Sequence, residues 1–123
     1  MVINDLCVFS NQLWVATDNG LWVQKNDKLP FEKVNSISEK RIYRIVPDSF
    51  GYVWVSILGY GIIKLDGISK QVVNTFLNPS IAKTKDILNV TEDRIWLATE
   101  NEGIGILNVC NNEIIQINED KGM

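Results

Sequence analysis

Side chains able to do acid–base or nucleophilic chemistry are sparse in this sequence. No histidine occurs among its 123 residues. That removes Ser-His-Asp and Cys-His catalysis, His-containing zinc sites and a phospho-accepting histidine. Carboxylates recur instead at Asp18, Glu100 and Glu102, each in a polar stretch between two apolar runs. Paired carboxylates can act on glycosidic bonds when about 5–9.5 Å apart. Acids in tight turns ordinarily cap the backbone or face water, however, and no catalytic residue is expected among them. Cys7 and Cys110 have no C-x-x-C spacing. Neither a zinc knuckle nor a redox pair is therefore expected, and both read as buried free thiols. Gly59-Tyr60-Gly61 lacks the lysine and the following helix of a phosphate loop. Asn89-Val90-Thr91 matches a glycosylation sequon, but within an expected strand. The expectation is a non-enzymatic chain with no metal and no cofactor.

Composition narrows the partners. Twelve Lys and Arg against fifteen Asp and Glu leave a net charge of −3, which argues against a nucleic-acid partner needing a basic surface. With 46% hydrophobic and 22% charged residues, the chain can bury a core. No apolar run reaches the ~18 residues of a membrane span. The opening Met1–Leu6 segment has no signal-peptide pattern. No membrane insertion and no export signal are therefore expected of this segment; for a piece of a longer chain the second expectation lapses.

The elements that must position these residues are set by a repeat. Leu13-Trp14-Val15-Ala16-Thr17, Val53-Trp54-Val55-Ser56-Ile57 and Ile95-Trp96-Leu97-Ala98-Thr99 place tryptophans 40 and 42 residues apart. Each is followed by a turn and a glycine-led apolar run, at Gly20–Val23, Gly61–Leu65 and Gly103–Leu107. Each is preceded by a strand-like piece, at Val2–Phe9, Ile42–Val46 and Ile87–Val90, and a fourth piece closes the unit at Phe31–Val34, Gln71–Leu77 and Glu113–Ile117. β-Branched and aromatic residues fill the pieces, while Gly, Asn and Asp punctuate the turns. Four antiparallel strands repeating every ~40–50 residues are the signature of β-propeller blades. The expected fold is all-β, with blades at about 1–36, 37–80 and 81–123. The three repeated tryptophans read as packing anchors, and Trp22 as a further core residue.

The Asp48-x-x-Gly51-x-x-Trp54 spacing, the Trp-[Val/Leu]-Ala-Thr strand and the Gly-[Leu/Ile] run after it resemble two-component regulator propeller repeats. The first unit departs with a shorter Ser10-Asn11-Gln12 turn, the second with Ser56-Ile57-Leu58, the third with Glu92-Asp93-Arg94. The resemblance implies a sensing or signal-relay segment, periplasmic as part of a bacterial hybrid histidine kinase receptor and responsive to oligosaccharides. The alternative is a structural or protein-interaction propeller that binds no small molecule.

Propeller geometry gathers the turns between second and third strands on the face that carries the inter-blade linkers. The expected ligand-binding residues there are Asp18, Asn19, Arg41, Tyr60, Glu100 and Asn101, with Leu58 and the linkers Ser36–Arg41 and Asn78–Lys85. Tyr60 would stack on a sugar ring, and Arg41, Lys83 or Lys85 would meet an acidic group. Closed propellers have about 4–8 blades. Three blades therefore leave two unpartnered faces, expected to be apolar from Val55, Ile57, Leu97 and similar residues. Such faces call for other blades as partners, from a longer chain or by homo-oligomerisation.

Overall fold

The computed structural model describes residues 1–37, 40–89 and 91–118. Among these, twelve strands form three four-stranded antiparallel sheets. The first holds β1 (Ile3–Phe9), β2 (Gln12–Thr17), β3 (Gly20–Gln24) and β4 (Glu32–Lys33). The second holds β5 (Ile42–Pro47), β6 (Tyr52–Ile57), β7 (Gly61–Asp66) and β8 (Val72–Phe76). The third holds β9 (Thr84–Asn89), β10 (Arg94–Thr99), β11 (Ile104–Asn108) and β12 (Ile114–Ile117). Strands follow one another across each sheet in chain order, and β1 packs beside β5, as β5 does beside β9. First strands thus neighbour one another across blades, the arrangement of a β-propeller. The expected all-β, blade-built fold is what the structure shows. The sequon's Val90 lies outside the described residues, as do Ser38 and Glu39 of the first linker.

Side-chain alternation along the second strands builds the core. Trp14 and Ala16 of β2 pack with Val53, Val55 and Ile57 of β6 in one buried cluster. On the same β6, the intervening Trp54 packs the opposite way, with Ile87, Ile95 and Leu97 of the third sheet. Trp14 and Trp54 are both 0% exposed, and Trp54 stacks on Phe76 at 5.9 Å. Each blade thus sends its tryptophan into the junction with the blade that follows it. Trp96 shares that register but is only half-buried, since no described blade follows the third. Trp22, expected in the core, is likewise half-buried, because the corresponding face of the first blade is open. Val55, Ile57 and Leu97 are not on the unpartnered faces; they fill the inner junctions. The open faces carry Val15, their register mate, on the first blade and Trp96 on the third.

The Asp-x-x-Gly-x-x-Trp spacing has a mechanical meaning in the second blade. Asp48 Oδ1 accepts from the Phe50 and Tyr52 amides at 2.8 and 3.0 Å, and Oδ2 accepts from the Trp54 indole at 2.9 Å. Gly51 supplies the left-handed φ of 94° that closes the turn. In the first blade Ser10 and Asn11 make a two-residue turn with φ of 52° and 60°, the mirror-image geometry that joins hairpins tightly. No aspartate reaches back there, and the buried Trp14 indole N–H has no hydrogen-bond partner.

Two expectations are corrected. Cys110 is exposed in the turn after β11, and Cys7, on the edge strand β1, is only partly buried against the cluster between the first two blades. The Asn78–Lys85 stretch is not all linker. It folds into a single 3-10 turn at Pro79–Ile81, capped by Asn78, and β9 begins at Thr84, which places Lys85 within a strand.

Candidate functional site

Every first strand bulges near its start, where the register skips a residue at Asn4, Tyr43 and Lys85. A bulge re-aims the side chain it carries. Asn4 Nδ2 donates to Asp18 Oδ1 at 2.9 Å and to the Ile42 carbonyl of the next blade at 2.8 Å. Arg41 Nε donates to the same Asp18 oxygen at 3.1 Å, forming an exposed ion pair. The Asn4 hydrogen bond first, and the Arg41 guanidinium with it, hold the Asp18 carboxyl below its ordinary 3.8.

Backbone bonds fix the turns around this group. Asp18, Leu58 and Glu100 amides donate to the carbonyls of Val2, Arg41 and Lys83, each just ahead of its own blade's first strand. Gly20 and Gly59 amides instead cross to the following blade, at Lys40 (2.8 Å) and Ala82 (2.7 Å). Tyr60 lies exposed in the β6–β7 turn with the Lys40 ammonium 4.2 Å from its ring centroid. The structure thus brings Asp18, Arg41 and Tyr60 to one blade junction, with Asn4 and Lys40 joining them. Asn19 sits beside them, where its carbonyl accepts from the Trp22 indole at 3.1 Å. Glu100 and Asn101 stand apart on the third blade's turn, and among the described residues no contact ties them to the Asp18 group.

Sequence reasoning missed Asn4, and it placed Lys40 on this face only as part of the Ser36–Arg41 linker. No repeated residue marked Asn4, since the matching positions in the other blades are Tyr43 and Lys85. The group is a set of charge-assisted hydrogen-bond donors and acceptors beside one aromatic ring. It can hold a polar ligand; it offers no nucleophile paired with a base. The Cys7 thiol is pushed up to about 11 by burial and then by Asp5, so at neutral pH it stays protonated and inert. No group of His, Cys, Asp and Glu arranged to hold a metal occurs among the described residues.

Blade geometry defines the class: a β-propeller segment. No family model matches the chain, and no curated protein matches it. Among solved structures, it resembles the extracellular domain of the BT4673 hybrid two-component system from B. thetaiotaomicron, with a TM-score of 0.80 and 20% identity. That match covers 97% of this chain and 19% of the other. The AfRom2 CNH domain matches at TM-score 0.68 and 10% identity, over 92% of this chain and 39% of that one. The N-terminal domain of Nup159 matches at 0.60 and 15%, over 95% and 30%. The chain spans about a fifth of the length of the BT4673 domain. Identities this low establish the fold alone.

Proposed function

We propose that this chain is a non-catalytic ligand-sensing or signal-relay propeller segment of a bacterial two-component sensor. In this reading it belongs to the two-component regulator propeller repeats, works in the periplasm as part of a receptor, and responds to oligosaccharides. The observation that carries it is the fold likeness to the BT4673 extracellular domain across nearly the whole chain, joined to repeat motifs of the same kind. The Asp18–Arg41–Tyr60 group is the proposed ligand face, with Asn19 beside it and Glu100 and Asn101 further along the rim. Lys40 covers one side of the Tyr60 ring, so a sugar would stack on the other. Further blades complete the ring.

Calorimetric titration of a panel of neutral and acidic oligosaccharides tests this. The expected result is binding by the native chain that weakens about tenfold in both Tyr60→Ala and Arg41→Ala, the loss of roughly 1.4 kcal/mol. Unchanged affinity in both variants removes the assigned face, and absence of binding across the panel removes the oligosaccharide. The second reading, a structural or interaction propeller, is favoured by one observation: the Asp18, Asn4, Arg41 and Lys40 groups are already satisfied by one another and by Tyr60.

A further inference from the structure

Within the chain, one blade meets the next by a fixed rule. The tryptophan of a second strand enters the junction, and the next blade answers with aliphatic side chains two residues apart: Val53 and Val55 for Trp14, Ile95 and Leu97 for Trp54. A turn amide crosses the same junction, from Gly20 to Lys40 and from Gly59 to Ala82.

Both halves of this interface recur at the two ends of the array. On the third blade, Trp96 faces an open cleft of about 170 Å³ shared with Leu88, Ala98 and Ile104. On the first blade, Val15 holds the register of Val55 and Leu97. It lines an apolar cleft of about 250 Å³ with Ile3, Trp22 and Phe31. Leu6 occupies the register of Ile45, yet Leu6 is 56% exposed where Ile45 is 3%. In the five-residue turns, Asn101 stands where Gly59 does. Met1 precedes Val2 as Lys40 precedes Arg41.

We propose that the open face of the third blade binds the open face of the first blade of a second copy. Trp96 seats in the cleft between the partner's Ile3, Val15 and Trp22, and the Asn101 amide donates to the carbonyl of the partner's Met1. A second copy is the occupant because this chain carries both halves of an interface it already uses twice. Two copies bring six blades, within the about 4–8 of closed propellers, whereas one or three copies fall outside that range. The two junctions are then equivalent by a two-fold axis and the ring has no free blade face. This deepens the part of the proposed function in which further blades complete the ring. It does not involve the ligand, so a mass measurement and a glycan titration fail separately.

Sedimentation equilibrium of the full chain, with circular dichroism of each variant, tests it. The native chain is expected at twice its 14.0 kDa mass. Leu6→Asp and Leu88→Asp alter residues that are 56% and 64% exposed in the single chain, so both should keep native circular dichroism. Each is expected to raise the dimer dissociation constant about tenfold or more. An equimolar mixture regains a dimer, through the one intact junction between the Leu6→Asp copy's third blade and the Leu88→Asp copy's first. A face-to-face dimer of like surfaces gives no such rescue. A monomeric native chain, an assembly other than two copies, or folded variants whose mixture stays monomeric overturns the proposal.

Discussion

Asp48 holds two backbone amides and one indole with a single carboxylate, and the indole belongs to a tryptophan with no exposed surface. Removing the carboxylate strands a buried donor as well as opening the turn. Asp48→Ala is expected to cost about 2–3 kcal/mol in urea denaturation, and an unchanged midpoint would deny the clamp its role. Asp66 works similarly at the β7–β8 turn, where Oδ1 accepts from the Ile68 and Ser69 amides at 2.8 and 2.9 Å. The Ser69 amide first, then that of Ile68, lowers its pKa from 3.8. Asp18 is lowered as well. A carboxyl whose folded pKa lies below its unfolded value stabilises the fold above the unfolded pKa and loses that contribution as pH falls through the folded one. The melting temperature should therefore fall on acidification below about pH 4, and Asp66→Asn should flatten that fall. An identical pH profile for Asp66→Asn would exclude the assignment.

At the scale of the element, the blades are hairpins closed by backbone geometry that few residues adopt. Gly103 opens the third strand of its blade with φ of 75°, and a Cβ there would overlap the Ile117 carbonyl oxygen of the fourth strand. Gly103→Ala should cost about 1–3 kcal/mol by chemical denaturation, because strain and backbone overlap act together and neither can relax without moving β12. A variant as stable as the native chain would mean that the strand end yields freely. The elements were largely legible in the sequence. β-Branched and aromatic runs, turn glycines and three in-register tryptophans marked every strand to within a few residues. What was not legible was the bulge in each first strand. It inserts one residue without a fixed residue type, being Asn4, Tyr43 and Lys85 in turn, and so leaves no repeated letter to find.

At the scale of the molecule, equivalent residues have unequal fates. Trp14, Trp54 and Trp96 share one register, yet only the first two are sealed, since burial depends on which blade comes next. The same holds for Val15 against Val55 and for Leu6 against Ile45. The candidate ligand face was legible only in part. Asp18, Arg41 and Tyr60 converge because Gly20 and Leu58 tie their turns to the linker at Lys40 and Arg41. Glu100 and Asn101 occupy the equivalent turn one blade further on, and that rotation separates them from the group.

The sequence by itself determined the strands, their antiparallel order and the threefold repetition, because these follow from side-chain period and turn chemistry within about 41 residues. It also settled the missing imidazole chemistry, which no fold can restore. Only the tertiary structure decided which face of each blade is covered, which turn carboxylate finds a cation and which tryptophan remains half open. Those outcomes depend on the neighbour across a junction, and a repeat writes the same residues whether or not that neighbour is there.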